Sequence, residues 1–399
     1  MLDEIRLEPI HEISYVHGNV NMANLMNEGL ISGAALEKAL AQKLVELLES
    51  VPWMGEWQVM HNPAQFDRSW DLLATRKVPR EPDLELWVDC RADPRPSQFP
   101  YVNIHRDFED SKVKCVRARV FAAPYISPRM AEVCEEHGWS WFDLAGNCRL
   151  SVPEVLHLER KGNDPVHERP RPSANLGTPE AARVIRALLV PENTGTRWTQ
   201  QALRMHCEPN VSVGLVNKVV RHLRDEAFLE EGSEGGFKLH DPLKLLFAWR
   251  DAYRFNRHQR QGYFTAKQGR SLREALAGLE LIPDGEVAYA AFSAAEFQAP
   301  HVRQPKTWLY LSSSLEEEFC KQVEAKQVDS GENLVVLTPD DDGVFYARDG
   351  GTLGENRLPA TNPVQTYVDL FYCGSRGEEA AEAVLEQKLK PEWKIRGVL

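Results

Sequence analysis

Ser212, Asn217, Lys218, Arg221 and Arg224 fall within one short stretch of the chain, "VSVGLVNKVVRHLRDE". The amide of an asparagine can pair with both major-groove atoms of an adenine. Lysine and arginine neutralise phosphate or fork onto guanine, and a short serine at a helix start lets the backbone approach closely. The chemistry such residues perform is recognition of duplex DNA rather than bond making. Asp340, Asp341 and Asp342 could gather a cation, but "PDDDG" lies between two apolar runs and reads as a turn. Asp143 and Asn147 read as a strand end and turn that satisfy local backbone groups, and His206-Cys207 has no partners at zinc spacing. The chain has neither a Gly-x-x-x-x-Gly-Lys-Ser/Thr phosphate loop nor a Gly-x-Ser-x-Gly elbow. Trp53, Trp57, Trp139 and Trp141 read as core anchors.

The recognition chemistry needs a helix that shows these side chains while hiding its other face. Residues 213–225 supply one, with Leu215, Val216, Val219, Val220 and Leu223 as the buried stripe and Ser212 as the cap. "TPEAARVIRALL" reads as a first helix, with Thr178 as cap, Pro179 at its first position, and Ala182, Ile185, Leu188 and Leu189 facing inward. "RWT" reads as a short strand, "TQQALRMHC" as a second helix, and Pro209-Asn210 as the turn into the third. "AFLEEGSEGGFKLHD" then forms two short strands around a glycine-rich tip. The order predicts a winged helix-turn-helix, whose third helix enters the major groove. The glutamates of the wing fit poorly against phosphate.

Charge supports the same segment. The 399-residue chain carries a net charge of -12, which taken whole argues against nucleic acid. Residues 171–264 alone hold 14 Lys+Arg against 10 Asp+Glu, and local potential is what acts within a Debye length.

On either side, strands and helices alternate. "SGAALEKALAQKLVELLES" is an amphipathic helix, "LELWVDC" and "VKCVRARVFAA" are strands, and Ser127-Pro128 starts a helix that ends near His137-Gly138 before the strand "WSWFDL". Towards the C-terminus, "TWLYL" and "NLVVLT" are strands, "DDDGVFYA" reads as a hairpin turn into another strand, "NPVQTYVDLFY" is a helix capped by Asn, and "GEEAAEAVLEQKL" is a final helix. The fold class is α/β (α+β) and multidomain: residues 1–160 an α/β domain, 161–177 a linker, 178–262 a winged helix, and 263–399 a C-terminal α/β domain. Seven cysteines show no Cys-x-x-Cys pair, "MLDEIRLEPI" has no apolar leader, and no apolar run spans a bilayer. A cytoplasmic chain with reduced thiols, no membrane association and no cofactor is expected.

Several stretches together resemble the AbiEi-like antitoxins of type IV toxin–antitoxin (abortive-infection) systems: "APYISPRMAEVCEEHGWSWFDLAGNCRL", "TPEAARVIRALL" with "VSVGLVNKVVRHLRDE", "DPLKLLFAWRDAYRF" and "NPVQTYVDLFYCGSRGEEAAEAVL". The resemblance implies a transcriptional regulator whose winged helix binds double-stranded DNA, commonly its own promoter, as a repressor. It also implies a C-terminal domain that counters a nucleotidyltransferase-type toxin. DNA contacts then fall on Ser212, Asn217, Lys218 and Arg221, and antitoxin action on the region around Tyr367, Asp369, Arg376 and Glu378. A homodimer on DNA follows from two-fold operator symmetry.

Residues 1–160 are also similar to the PD-(D/E)xK nuclease fold, in which two acids and a lysine hold Mg²⁺ and activate water. Asp89-Cys90-Arg91 stands where that pattern has an acid, any residue, then lysine. Arginine does not replace lysine as a base, so a degenerate, non-catalytic scaffold is expected. The alternative is a Mg²⁺-dependent DNA nuclease using Asp89 and Arg91, with Asp67, Asp71 or Asp83 as the upstream acid. A protein-interaction adaptor without DNA affinity is a second alternative.

Overall fold

The computed structural model describes residues 33–61, 63, 70–76, 83–99, 115–166, 174–232, 235–283, 285–350, 358–374 and 376–398. Asp67 lies outside them. The chain forms two compact units, Met1–Arg171 and Pro172–Leu399.

In the first unit, helix α1 (Ala34–Glu49) precedes a seven-stranded sheet whose strands lie in chain order. They are β1 (Gln58–His61), β2 (Leu72–Arg76), β3 (Asp83–Cys90), β4 (Cys115–Ala123), β5 (Ser140–Asp143), β6 (Cys148–Val152) and β7 (Leu156–Arg160). The pairs β3–β4 and β4–β5 are parallel and the other neighbours antiparallel. Helix α2 (Pro128–Glu136) makes the β4–β5 crossover; the Ser127 hydroxyl accepts from Met130 N and caps it, as its Ser-Pro start predicts.

Apolar residues on both sides of the central strands leave both sheet faces covered. Leu84, Leu86 and Val88 pack with Leu40, Leu44 and Leu48 of α1. Trp87 and Phe121 face the opposite core with Trp70, Met130, Trp139 and Trp141. Trp139 and Trp141 are therefore the anchors expected of them, whereas Trp53 is 79% exposed on a short 3₁₀ turn and anchors nothing.

The second unit begins with α3 (Pro179–Leu189), α4 (Gln200–Met205) and α5 (Val213–Asp225), then the hairpin β8 (Leu229–Glu231) and β9 (Phe237–Leu239). This is the order read from the sequence. Thr178, Thr199 and Ser212 each accept a backbone N–H at a helix start. The "RWT" strand reduces to one bridge, Trp198 to Phe237. Gly236 lets the hairpin close there, since a Cβ at that position would sit 2.7 Å from the Trp198 carbonyl oxygen.

Helix α6 (Pro242–Ala252) leads into β10 (Gln259–Phe264), α7 (Gly269–Leu279), β11 (Val287–Tyr289), α8 (Ala291–Gln298), β12 (Thr307–Leu311), α9 (Glu316–Val323), β13 (Lys326–Gln327) and β14 (Leu334–Thr338). The five strands form one sheet in the order β11-β12-β14-β10-β13, with β12 and β14 parallel. Helices α10 (Pro363–Phe371), α11 (Gly377–Val384) and α12 (Lys390–Ile395) follow, the last two joined through a π-helical turn at Leu385–Leu389. The expected strand within "DDDGVFYA" is not formed. Asp341 accepts from Gly343 N and caps a 3₁₀ turn at Asp342–Phe345, which buries Val344 and Phe345.

One core runs through this unit. Ile185, Leu188, Val216, Val219 and Leu223 from the first three helices belong to the same buried cluster as Trp249, Tyr310, Val335, Val368 and Trp393. The Trp393 indole donates to the carbonyl of Leu189, 204 residues earlier.

Candidate nucleic-acid interface and the polar cluster beneath it

Helix α5 separates its two faces as its pattern predicts. Val216, Val219, Val220 and Leu223 are buried and Leu215 is half-buried. Ser212, Val213, Gly214, Asn217, Lys218 and Arg221 are exposed, at spacings that share one side of a helix. Ser212 spends its hydroxyl on the cap, accepting from Leu215 N at 3.2 Å. Arg224 departs from the expected set. It pairs with Glu231 of β8, and its guanidinium lies 5.5 Å from the Phe237 ring centroid, so it braces the hairpin. Lys238 likewise takes Glu230 at 3.1 Å. Two of the hairpin's glutamates thus already have cations, which softens the charge clash foreseen for it.

The residues expected to meet a partner in the C-terminal part divide into two pairs. Arg376 and Glu378 line an open cleft of about 630 Å³ with Phe371, Tyr372, Gly374 and Glu379. Arg376 holds Glu379 through two 2.8 Å bonds. Tyr367 and Asp369 are 2% and 0% exposed, so neither can touch a partner. Helix α10 is buried on every side, because α8, α11, α3 and α6 all pack around it. The α10–α11 contact depends on Gly377, where a Cβ would overlap the Leu370 carbonyl oxygen. Gly377→Ala is expected to destabilise this unit by roughly 1–3 kcal/mol, read as a lower thermal midpoint; an unchanged midpoint would show that the helices separate without loss.

Burying α10 whole obliges its polar groups to find partners inside. Gln365 Oε1 accepts from Arg186 Nε at 2.6 Å, and Gln365 Nε2 donates to Asp369 Oδ1 at 2.7 Å. The Tyr253 hydroxyl donates to the same carboxylate oxygen at 2.7 Å and lies 2.7 Å from His258 Nε2. His258 Nδ1 accepts from Asp340 N, which leaves the ring proton on Nε2 and pointed at Tyr253. Burial raises the Asp369 carboxyl to about 7 against the pull of Tyr253, Gln365, Tyr310 and Arg186. Burial, helped by the charge of Arg186, lowers His258 to about 4. The sequence reading missed Arg186, 2% exposed within α3. Its position among inward-facing neighbours was the available signal.

In the first unit, β3 carries Asp89 and delivers Arg91 beside it. Both Asp89 oxygens face that guanidinium, Oδ1 at 2.7 Å from Nε and Oδ2 at 3.0 Å from Nη2. Of the two upstream acids within the described residues, Asp71 is the one beside Asp89. Asp71 Oδ2 accepts from Cys90 N at 2.7 Å and its charge acts on Asp89, whereas Asp83 begins β3 at the far end of the strand. Burial raises the Asp89 carboxyl, and the bond from Arg91 opposes it. The positive guanidinium bonded to both oxygens of Asp89 opposes a divalent ion at this carboxylate. Among the described residues, no group of three or more His, Cys, Asp or Glu side chains is placed to hold a metal. Asp143 proves to be a turn residue, accepting from Asn147 N, Asn147 Nδ2 and Ile126 N. All seven cysteines are unpaired, and burial pushes the Cys207 thiol up to about 12.

Fold and sites together define a mixed α/β chain of more than one unit, whose second unit has a polar helix face turned outward and a separate, buried polar helix. Comparison adds a similarity: residues 238–390 match the family model described as "Transcriptional regulator, AbiEi antitoxin, Type IV TA system". The matched stretch runs from β9 into α12 and is similar to that family, in keeping with the sequence resemblance. No curated protein and no solved structure matches the chain. No helix among the described residues is long and apolar enough to cross a membrane.

Proposed function

We propose that this chain is a cytoplasmic, DNA-binding autorepressor and the antitoxin of a type IV toxin–antitoxin pair. Residues 178–241 act as a winged helix, and α5 enters the major groove of duplex DNA. Asn217 reads a base edge, Lys218 and Arg221 hold phosphate or guanine, and a homodimer meets inverted half-sites. The region 238–390 counters a nucleotidyltransferase-type toxin, with Arg376 and Glu378 at its cleft on the contact surface. The observation that carries the DNA reading is the exposed face of α5. Asn217, Lys218 and Arg221 line up opposite a fully buried stripe, in the locally basic part of an acidic chain.

The test is a salt titration of binding to a duplex enriched from a random pool by the wild-type protein, beside the DNA upstream of its own gene. Lys218→Ala/Arg221→Ala should weaken binding about 10–100-fold and lower the salt slope by about two. Failure to enrich any sequence would overturn the DNA reading. Enrichment without affinity for the upstream DNA would overturn autorepression alone.

A second reading rests on the approach of Asp71 to Asp89: a nuclease site in the first unit. The Arg91 ion pair opposes it, and we assign this unit a non-cleaving role. Cut DNA in the same assay with Mg²⁺, abolished by Asp89→Ala, would reverse that assignment.

A further inference from the structure

Arg183 stands on α3, away from the exposed face of α5, yet it touches the segment that launches that helix. Its Nη1 donates to the carbonyl of Asn210 at 3.0 Å and reaches that of Pro209 at 3.5 Å. These are the residues of the turn between α4 and α5, just before the Ser212 cap. The rest of the same guanidinium grips Asp341, with Nε 3.2 and 3.0 Å from its two oxygens and Nη2 2.5 Å from Oδ2. Asp341 sits beyond β14, 158 residues later and inside the antitoxin-type region.

The clasp is enclosed and pre-shaped. The two side chains are 18% and 9% exposed, so water screens them little. Asp341 Oδ1 also accepts from Gly343 N at 2.9 Å, which fixes the carboxylate. Gly343 is what lets the turn approach α3: a Cβ there would lie 2.6 Å from Asp341 Oδ1 and 3.1 Å from Arg183 Cγ. A planar guanidinium can serve a carboxylate and two carbonyls at once, which a lysine ammonium cannot do in the same geometry.

We infer that Arg183 and Asp341 are positioning residues for DNA recognition: the antitoxin-type region, through Asp341, sets the placement of the helix that reads bases. The inference rests on the DNA-binding reading above and adds a determinant to it outside the DNA-facing surface. Base contacts depend on helix placement to fractions of an ångström. Phosphate contacts from long flexible side chains tolerate a shift. Loosening the clasp therefore degrades discrimination more than it degrades overall attraction.

The experiment uses the full chain, the enriched duplex and a scrambled duplex of equal length. Wild type is compared with Asp341→Asn and Arg183→Lys, each checked for folding by thermal unfolding and near-UV circular dichroism. The expected result is a fall of about tenfold or more in the enriched-to-scrambled affinity ratio, the scale of one good base contact, with the salt slope unchanged. A clasp that acted only as a structural staple would lower the thermal midpoint and leave that ratio intact in the folded variants. Should Asp341→Asn fail to fold, Arg183→Lys, which keeps the charge beside Asp341, carries the test. Retained discrimination in a folded variant overturns the inference while the DNA reading stands. If wild type discriminates between no sequences, both fall together.

Discussion

Arg186→Ala is expected to destabilise Pro172–Leu399 by about 3–5 kcal/mol, the scale for stripping one member from a buried charged network. For a unit of this size that corresponds to a fall on the order of 10 °C in the unfolding midpoint. Three losses add. The 2.6 Å bond to Gln365 goes; Asp369 loses a cation whose charge restrains its carboxyl; and a cavity opens beside Trp249, whose ring centroid lies 5.4 Å from the guanidinium carbon. Burial works against the arginine itself, lowering its pKa from the ordinary value. Arg186→Met fills the cavity and removes that desolvation penalty, so it should cost clearly less than alanine. Equal losses in chemical denaturation would show that charge, not volume, sets the effect. A loss below about 1 kcal/mol for alanine would place the network outside the determinants of stability.

The second large effect is a dependence on pH carried by Asp369. Its carboxyl titrates near 7 in the folded unit against 3.8 for the ordinary side chain. The folded state therefore binds the proton more tightly, and the stability due to this group is complete below about 3.8 and lost as pH rises through about 7. His258, lowered to about 4 from 6.5, acts in the opposite sense: its contribution is present above 6.5 and lost as pH falls towards 4. The two nearly cancel between pH 4 and 6.5, so wild type alone would show little. Asp369→Asn separates them. The asparagine variant should gain on wild type by a few kcal/mol between pH 4 and pH 8, rising steadily from about pH 4 and levelling off above about pH 7. Arg186, Tyr253, Tyr310 and Gln365 surround the carboxyl and are unchanged in the comparison. Parallel stability profiles for the two proteins would refute the assignment of Asp369 as the titrating group.

Both effects concern residues whose role was hidden at the level of sequence. Tyr367 and Asp369 lie in a motif that the family resemblance highlights, and they proved to be interior. Helix α10 resembles an ordinary capped helix in the chain, with Asn362 accepting from Gln365 N at its start. Nothing local says that four other helices enclose it. Arg376 and Glu378, at the start of α11, are exposed. The family match over residues 238–390 agrees with the resemblance without distinguishing interior from exterior members of the motif.

What the chain determined by itself is local and periodic. The Thr-Pro, Asn-Pro and Ser-Pro starts specified helix N-termini because proline suits a position whose N–H has no intrahelical partner, while the preceding side chain caps. The spacing of Val216, Val219, Val220 and Leu223 specified which side of α5 is hidden, and so which residues face outward. The tertiary structure alone decided the long-range pairs: Arg186 with Gln365, Arg183 with Asp341, and Asp71 rather than Asp83 beside Asp89. It also turned "DDDGVFYA" from a strand into a capped turn, since Asp341 found a guanidinium and a backbone N–H where a ladder had been expected. Such choices leave no periodic trace. A charged side chain has the same sequence neighbours whether it ends in water or in a core, and its partner more than 150 residues away is selected only when the elements pack.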